Sequence, residues 1–141
     1  MEQQNAETYR GHLVQPRPVA LFTSETILAL DLEQVLGKAG YPTWHCVTCD
    51  AGELKGHGKD GFLAAVVDVT LHEAEAAEAL PWLKRHEIPT IIIRSGAEVI
   101  NFEQSKFPNI VAEFEKPVIG EQIEQMVRHF RRHLSSAAQA T

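Results

Sequence analysis

Apolar and polar positions along the chain follow a repeating order of short apolar runs and longer amphipathic stretches. The runs at residues 19–22, 64–71 and 89–93 show little alternation between apolar and polar positions, which is typical of strands buried on both faces of a parallel sheet. Residues 43–48 are β-branched and aromatic, and residues 110–114 alternate, so both segments predict strands at a sheet edge.

Helical periodicity appears in the stretches between these runs. Apolar residues recur at helical spacing over residues 26–38, and the Ala- and Glu-rich segment 72–87 also favours helix. Pro81 lies inside the second segment and predicts either a kink or a second helix that begins there. Glycines interrupt the stretch after Asp50, so only a short or frayed helix is expected. A final helix is predicted over residues 119–134 by one apolar stripe, formed by Ile119, Ile123, Met126, Val127, Phe130 and Leu134.

Strand and helix patterns alternate five times, which predicts an α/β fold with a doubly wound parallel sheet. A single domain is expected over residues 18–134, with flexible tails at residues 1–17 and 135–141.

Composition narrows the function classes. The chain is 44% hydrophobic and 23% charged, as in ordinary soluble domains. Its net charge of -6 argues against nucleic acid and anionic membrane as partners. No apolar run is long enough to span a bilayer, and the first residues show no signal-peptide pattern. With two cysteines in the chain, a cytoplasmic protein is expected.

Asp68 is the first candidate functional residue, because it ends an apolar strand in which an unpartnered charge is rare. Open α/β sheets bind ligands at the carboxyl ends of their strands. Cys46 and Cys49, with His45, form a second candidate group for metal or redox chemistry. Strand residues three apart face opposite sides and no second ligand pair is present, so we expect no such site.

Five stretches carry a family resemblance through their order and spacing. They are residues 19–33, Gly40–Tyr41, Val67–Leu71, Ile88–Pro89 and Glu115–Pro117. Together they resemble, from about Arg17 to Leu134, the receiver domain of bacterial two-component response regulators.

The resemblance implies a flavodoxin-like (βα)5 three-layer sandwich with strand order 2-1-3-4-5. It also implies that an aspartate at the end of strand three accepts a phosphoryl group from a histidine kinase. An acidic pair after strand one, together with that aspartate, would hold Mg²⁺. A Thr or Ser ending strand four and a lysine after strand five would bind the phosphoryl oxygens. Asp68 matches the acceptor, and Lys116 matches the lysine.

Other positions of the family pattern are changed. The acidic pair falls on Thr23 and Ser24, which carry no charge, so one of them is expected to cap the first helix instead. Glu25, one residue later, is then the nearest carboxylate that can join Asp68 as a weak Mg²⁺ ligand.

The switch position of the family falls on Arg94, with Ser95 one residue late. Thr70, two residues after the acceptor, also falls among the phosphoryl-binding positions that the resemblance implies. Arg94 is expected either to lie against Asp68 as a built-in cation or to neutralise a phosphoryl group.

The expected protein is therefore a stand-alone, non-enzymatic, atypical receiver domain that acts by protein–protein interaction in a bacterial phosphorelay. Its Mg²⁺ and phosphoryl chemistry would be impaired, because phosphoryl transfer depends on cations that offset negative charge. Expected partners are a histidine kinase, a phosphotransfer protein or another regulator. The resemblance also makes a homodimer plausible, through the face of the family's helix four, strand five and helix five.

Two alternatives stay open. The first is a conventionally Asp-phosphorylated single-domain response regulator that serves as a phosphate sink or shuttle, with Asp68 as a phosphoprotein site. The second is a small flavodoxin-like ligand-binding protein or enzyme, although the sequence offers no Gly-rich phosphate loop for it.

Overall fold

Five parallel strands form one sheet in the order β2-β1-β3-β4-β5, which confirms the predicted flavodoxin-like arrangement. The structure is a computed structural model and describes residues 17–46, 61–69, 73–94 and 106–140. The strands are β1 Val19–Phe22, β2 Thr43–Cys46, β3 Ala64–Asp68, β4 Thr90–Arg94 and β5 Ile110–Glu115. As predicted, β2 and β5 lie at the two edges, and Asp68 ends β3.

Three helices lie within the described residues: α1 Thr26–Lys38, α2 Glu73–Arg85 and α3 Gly120–Ala140. The bounds of α1 are those predicted. Because α2 is one helix with Pro81 inside it, the alternative of a second helix beginning at Pro81 is wrong. Helix α3 continues past residue 134 to Ala140. The predicted helix after Asp50 lies outside the described residues.

Alternate residues of each central strand pack into different cores, which explains why the apolar runs lack alternation. Phe22, Val67 and Ile92 lie in the core on the α2 side of the sheet. Their neighbours pack on the opposite side, against α1 and α3, as Leu21, Val66, Ile91 and Ile93 show. The sheet is therefore covered by helices on both faces, as a three-layer sandwich requires.

The apolar stripe of α3 is shorter than predicted. Ile123, Val127 and Phe130 are buried against the sheet, but Ile119 is 57% exposed. The helix begins at Gly120, so Ile119 belongs to the preceding loop and the helical period does not place it in the core. Its exposure corrects the prediction.

Helix α1 ends in a hydrogen-bonding pattern that turns the chain towards β2. The amide of Gly40 donates to the carbonyl of Gly37 at 3.0 Å, and the amide of Tyr41 donates to the carbonyl of Leu36 at 2.9 Å. Gly40 has φ +92°, the left-handed conformation that this type of helix end favours in glycine. Tyr41 and Leu36 are both buried in the core beneath α1.

Gly120 allows α1 and α3 to approach closely. A Cβ atom added at Gly120 would lie 2.9 Å from Cγ2 of Val35 and 3.1 Å from Oδ2 of Asp31. We expect Gly120→Ala to lower the free energy of unfolding by about 1–2 kcal/mol, since the β-branched Val35 side chain cannot move away without repacking. Chemical denaturation measures the change.

Gly37→Ala is the matched control for this substitution. Gly37 lies in the last turn of α1, and an added Cβ atom there meets no atom within 4 Å. The control should gain up to about 1 kcal/mol from the better helix propensity of alanine. A Gly120→Ala protein as stable as the wild type would contradict the close approach of the two helices.

Candidate functional site

The carboxyl ends of the parallel strands bring the predicted site residues to one edge of the sheet. Thr23 follows β1, Asp68 ends β3 and Lys116 follows β5. All three continue the side of their strand that faces α1 and α3, the side of Leu21, Val66 and Phe114. Their side chains therefore converge, and with Glu25 they form what we call the Asp68 cluster.

Asp68 is the centre of this cluster, and its side chain is only 2% exposed. The ammonium Nζ of Lys116 donates a hydrogen bond to Oδ2 of Asp68 at 2.9 Å. The hydroxyl Oγ1 of Thr23 donates to the same oxygen at 2.8 Å. One carboxylate oxygen thus accepts hydrogen bonds from a charged donor and from a neutral donor. Both bonds favour the ionised form of Asp68 inside the protein.

Glu25 provides a second carboxylate for the same lysine. Its Oε2 atom lies 3.0 Å from Nζ of Lys116, so the ammonium bridges Glu25 and Asp68. Burial alone lowers the pKa of Lys116, but the hydrogen bonds to Asp68 and Glu25 and their negative charges outweigh it, so the pKa lies above its ordinary value of 10.5. Lys116 is therefore a permanent cation at neutral pH.

Thr23 also organises the turn between β1 and α1. Its Oγ1 accepts a hydrogen bond from the amide of Glu25 at 3.1 Å while donating to Asp68. The N-cap position of α1 is Glu25, and no side-chain hydrogen bond caps the helix. The expectation that Thr23 or Ser24 caps α1 is therefore wrong, because the Thr23 hydroxyl is directed at Asp68 and at the turn.

His45 supports this turn from the neighbouring strand β2. Its Nε2 atom lies 2.8 Å from the carbonyl oxygen of Thr23, and because a carbonyl only accepts, the ring nitrogen donates. From the sequence, His45 was predicted only as a candidate metal or redox residue, and its contact with Thr23 was not predicted. The pairing of His45 opposite Leu21 brings the two together, and this register is not readable from the local sequence.

Arg94 does not lie against Asp68, so the expectation that it acts as a built-in cation there is wrong, while a role in neutralising a phosphoryl group stays a prediction. Its guanidinium pairs with Oε2 of Glu113 at 3.6 Å and with Oε1 of Glu115 at 3.3 Å. Ile93 is the β4 residue that pairs with Asp68 of β3, and its side chain faces α1 and α3. Arg94, one residue later, projects to the opposite face of the sheet, where its strand partner is Glu115.

The remaining predicted positions are only partly described. Ser95 and Thr70 lie outside the described residues, as does Cys49. His45 and Cys46, although adjacent, face opposite sides of β2, since Cys46 is buried in the α2-side core.

The two carboxylates nearest the predicted Mg²⁺ position are both engaged by an ammonium. Mg²⁺ requires several oxygen ligands in octahedral geometry, usually with one or two carboxylates. Within residues 17–46, 61–69, 73–94 and 106–140, no three acidic, histidine or cysteine side chains are grouped to hold a metal. Glu25 and Asp68, the two carboxylates nearest the predicted site, both bind the Lys116 ammonium.

Comparison with known proteins gives matches among solved structures. No protein-family profile matches the chain, and no curated protein matches its sequence. A CheY-like response regulator receiver domain protein from Methanospirillum hungatei JF-1 is 20% identical, with a TM-score of 0.63 over 84% of this chain and 98% of the other. A response regulator receiver domain protein from Clostridium thermocellum is 12% identical, with a TM-score of 0.69 over the same shares. An adenylate cyclase structure from Rhodopirellula baltica is also 12% identical, with a TM-score of 0.70 over 89% and 96%.

The chain therefore shares its fold with proteins whose sequences are only 12–20% identical to it. No helix among the described residues is long and apolar enough to cross a membrane.

Proposed function

We propose, from the receiver-domain fold that this chain has, that it is an atypical receiver domain of two-component signal transduction that acts through protein–protein contact. The observation that carries the proposal is the position of Lys116, whose ammonium binds both Asp68 and Glu25. In this proposal the domain keeps the acceptor aspartate and the lysine of the family but has impaired Mg²⁺ and phosphoryl chemistry.

The physical argument concerns charge. Phosphoryl transfer needs a metal and fixed cations to offset the negative charge of the phosphoryl oxygens. Here the only charges on the side chains of the Asp68 cluster are two carboxylates and one ammonium, and Thr23 supplies a hydroxyl where the family has an acid. The ammonium already balances Asp68, so one arrangement of the cluster is stable without a phosphoryl group.

The remaining parts of the proposal concern setting and partners. We propose a stand-alone, non-enzymatic regulator in the bacterial cytoplasm that binds a histidine kinase, a phosphotransfer protein or another regulator. A homodimer would use the face that includes β5 and α3, which the family resemblance supports. The segment between β4 and β5, which would complete that face, lies largely outside the described residues.

A phosphodonor experiment tests this function. The wild type and Asp68→Asn are incubated with acetyl phosphate and Mg²⁺, and intact mass is measured beside a conventional receiver domain. We expect the conventional domain to gain a phosphoryl group and both forms of this protein to gain none. Addition of a phosphoryl group to the wild type, absent in Asp68→Asn, would contradict impaired chemistry.

A conventional phosphate sink or shuttle is the second candidate. The 2.9 Å contact between Lys116 and Asp68 favours it, since the acceptor and the lysine are already adjacent. Asp68-dependent phosphorylation in the same experiment would support this candidate.

A further inference from the structure

A surface cavity lies at the edge of the sheet opposite the Asp68 cluster. Its volume is about 460 Å³, and the described residues that line it are Pro81, Lys84, Arg85, Lys106 and Phe107. Helix α2 ends at Arg85 shortly before β4, and Phe107 precedes β5, so the cavity lies where these two strands begin. We call it the α2 cavity. Small-molecule sites in proteins have volumes of roughly 300–1,000 Å³, so the α2 cavity is large enough for such a ligand.

The charges around the α2 cavity all have one sign. Its three ionisable lining residues are lysine or arginine, and no acidic residue of the described part of the chain lines it. The whole chain has a net charge of -6, so this positive charge is a local exception. Within the described residues, no salt bridge joins Lys84 or Arg85 to a carboxylate. An anionic ligand would offset the repulsion among these cations.

The polarity of α2 explains only part of this arrangement. Lys84 and Arg85 lie in the last turn of the helix, where positive side chains interact favourably with the helix dipole. Lys106 belongs to a different segment, the turn that leads into β5, and it lines the same cavity. A stable end of α2 does not require a base from that second segment. The convergence of the three cations therefore indicates a binding site for an anion.

Phe107 adds an aromatic side chain to the cavity. It is partly buried and packs against the core on the α2 side of the sheet, and it also lines the cavity. The ammonium Nζ of Lys84 lies 5.6 Å from the centre of its ring, within the range of a cation–π contact. A planar ring of a ligand can stack on an aromatic side chain of this kind. A ligand that joins a planar ring to an anionic group would therefore use both features at once.

Hydrogen bonds hold the two walls of the α2 cavity in place. The amide of Ile110 donates to the carbonyl of Phe107 at 3.0 Å, which fixes the turn before β5. The side-chain Nδ2 of Asn109 donates to the carbonyl of Ile88 at 3.0 Å and to Oγ1 of Thr90 at 3.1 Å. These bonds join the turn before β5 to the segment that follows α2. Because the walls are joined before a ligand arrives, less entropy is lost on binding.

We propose that the α2 cavity binds a nucleoside phosphate, with the base stacked on Phe107 and the phosphate held by Lys84, Arg85 and Lys106. The planar guanidinium of Arg85 suits two parallel hydrogen bonds to phosphate oxygens, and the two lysines add point charges. Nucleoside phosphates combine a planar ring and an anionic group in one molecule of matching size. This inference goes beyond the proposed function, because the cavity lies at the opposite end of the strands and shares no residue with the Asp68 cluster.

An NMR titration of the full-length ¹⁵N-labelled chain tests the proposal. The probes are AMP, GMP, CMP and UMP and the corresponding diphosphates. Inorganic phosphate provides the anion without the ring, and the four nucleosides provide the ring without the anion. We expect at least one nucleotide to saturate below about 1 mM, with shifts centred on Lys84, Arg85 and Phe107. Inorganic phosphate and the matching nucleoside should each bind at least about tenfold more weakly than that nucleotide.

Matched variants separate the cavity from general charge effects. Lys84→Gln, Arg85→Gln removes two exposed cations from the cavity and should weaken nucleotide binding by about tenfold or more. Lys38→Gln, Arg132→Gln removes two exposed cations from α1 and α3 instead and should bind like the wild type. Phe107→Leu keeps an apolar side chain against the core. It should weaken nucleotide binding by about threefold or more and leave the binding of inorganic phosphate unchanged.

The inference would be overturned if no nucleotide gives a saturable shift, if inorganic phosphate binds as tightly as the nucleotides, or if both double variants lose binding equally. A short peptide of glutamate and phenylalanine is titrated in the same way. If it binds more tightly than every nucleotide, the cavity recognises a protein segment and the inference is wrong. The phosphodonor experiment is independent of these outcomes, because phosphorylation of Asp68 would overturn the proposed function and leave nucleotide binding measurable.

Discussion

Lys116→Met is expected to lower the free energy of unfolding by about 3 kcal/mol, since it removes the ammonium that pairs with the buried carboxylate of Asp68. The side chain of Asp68 is 2% exposed and that of Lys116 is 19% exposed, so water replaces the lost ammonium poorly. Methionine keeps the length and apolar stem of lysine, which limits the loss of packing. Chemical denaturation at neutral pH measures the effect.

A double-mutant cycle assigns this loss to Asp68. In the Lys116→Met background, Asp68→Asn should restore about half of the lost stability, because it removes the buried negative charge that has lost its lysine. Lys38→Met, at the exposed end of α1, is the matched control and should change stability by less than about 0.5 kcal/mol. Lys116 and Asp68 are not coupled if the stability losses of Lys116→Met and of Asp68→Asn, each measured in the wild type, simply add in the double variant.

The pH dependence of the same pair gives an independent measurement. The pKa of Lys116 is raised in the folded protein, so the pair contributes its full stability below the unfolded-state pKa of about 10.4. That contribution is lost as the pH rises through the folded-state pKa. The stability difference between the wild type and Lys116→Met should therefore be constant near neutral pH and decrease as the pH rises into the alkaline range.

Restoring the acidic pair is the second large expected effect. The double substitution Thr23→Asp, Ser24→Asp places one carboxylate beside Asp68 and a second on the next residue of the turn, and it removes the hydroxyl that donates to Asp68. Repulsion among the carboxylates should lower stability by about 1–2 kcal/mol without a divalent ion. Mg²⁺ should restore the loss, because it binds the folded state, and Asp68 should then accept a phosphoryl group from acetyl phosphate.

The control for this variant adds the same charge elsewhere. Gln122 and Gln125 are exposed on α3, and the double substitution Gln122→Asp, Gln125→Asp should gain neither Mg²⁺-dependent stability nor phosphorylation. If the stability of Thr23→Asp, Ser24→Asp does not depend on Mg²⁺, the loss of the acidic pair at Thr23 and Ser24 is not the cause of impaired metal binding.

The elements governed by local pattern were predictable from the sequence. The runs around Val19–Phe22 and Ala64–Asp68 are apolar on both faces, so their burial in a parallel sheet follows from composition alone. The position of Asp68 follows as well, because a charge in such a run belongs at its end. The meeting of Lys116 with Asp68 followed only from the family resemblance, since the two are 48 residues apart.

What could not be predicted depends on register between distant strands. The side of the sheet that Arg94 faces depends on the register between β3 and β4. Ile93 pairs with Asp68 in this register, so Arg94, the next residue, faces the other side of the sheet. A helix cap was the predicted role for Thr23 or Ser24, and only the proximity of Thr23 to Asp68 in the folded chain shows that its hydroxyl binds the carboxylate instead. Ile119 was misplaced because the helix begins one residue later than predicted.

The consequence of this arrangement is a receiver-type sheet edge whose central carboxylate is paired within the protein. Two ion pairs of Lys116, one with the buried Asp68 and one with the more exposed Glu25, connect the interior to the surface beside α1.

A Mg²⁺ titration of the wild type, followed by NMR at Thr23, Glu25 and Asp68, measures whether the Lys116 ammonium keeps the metal away from the two carboxylates. We expect no saturable shift at these residues up to about 10 mM Mg²⁺, because the ammonium binds both carboxylates. Saturation below about 1 mM, with shifts centred on Glu25 and Asp68, would contradict it.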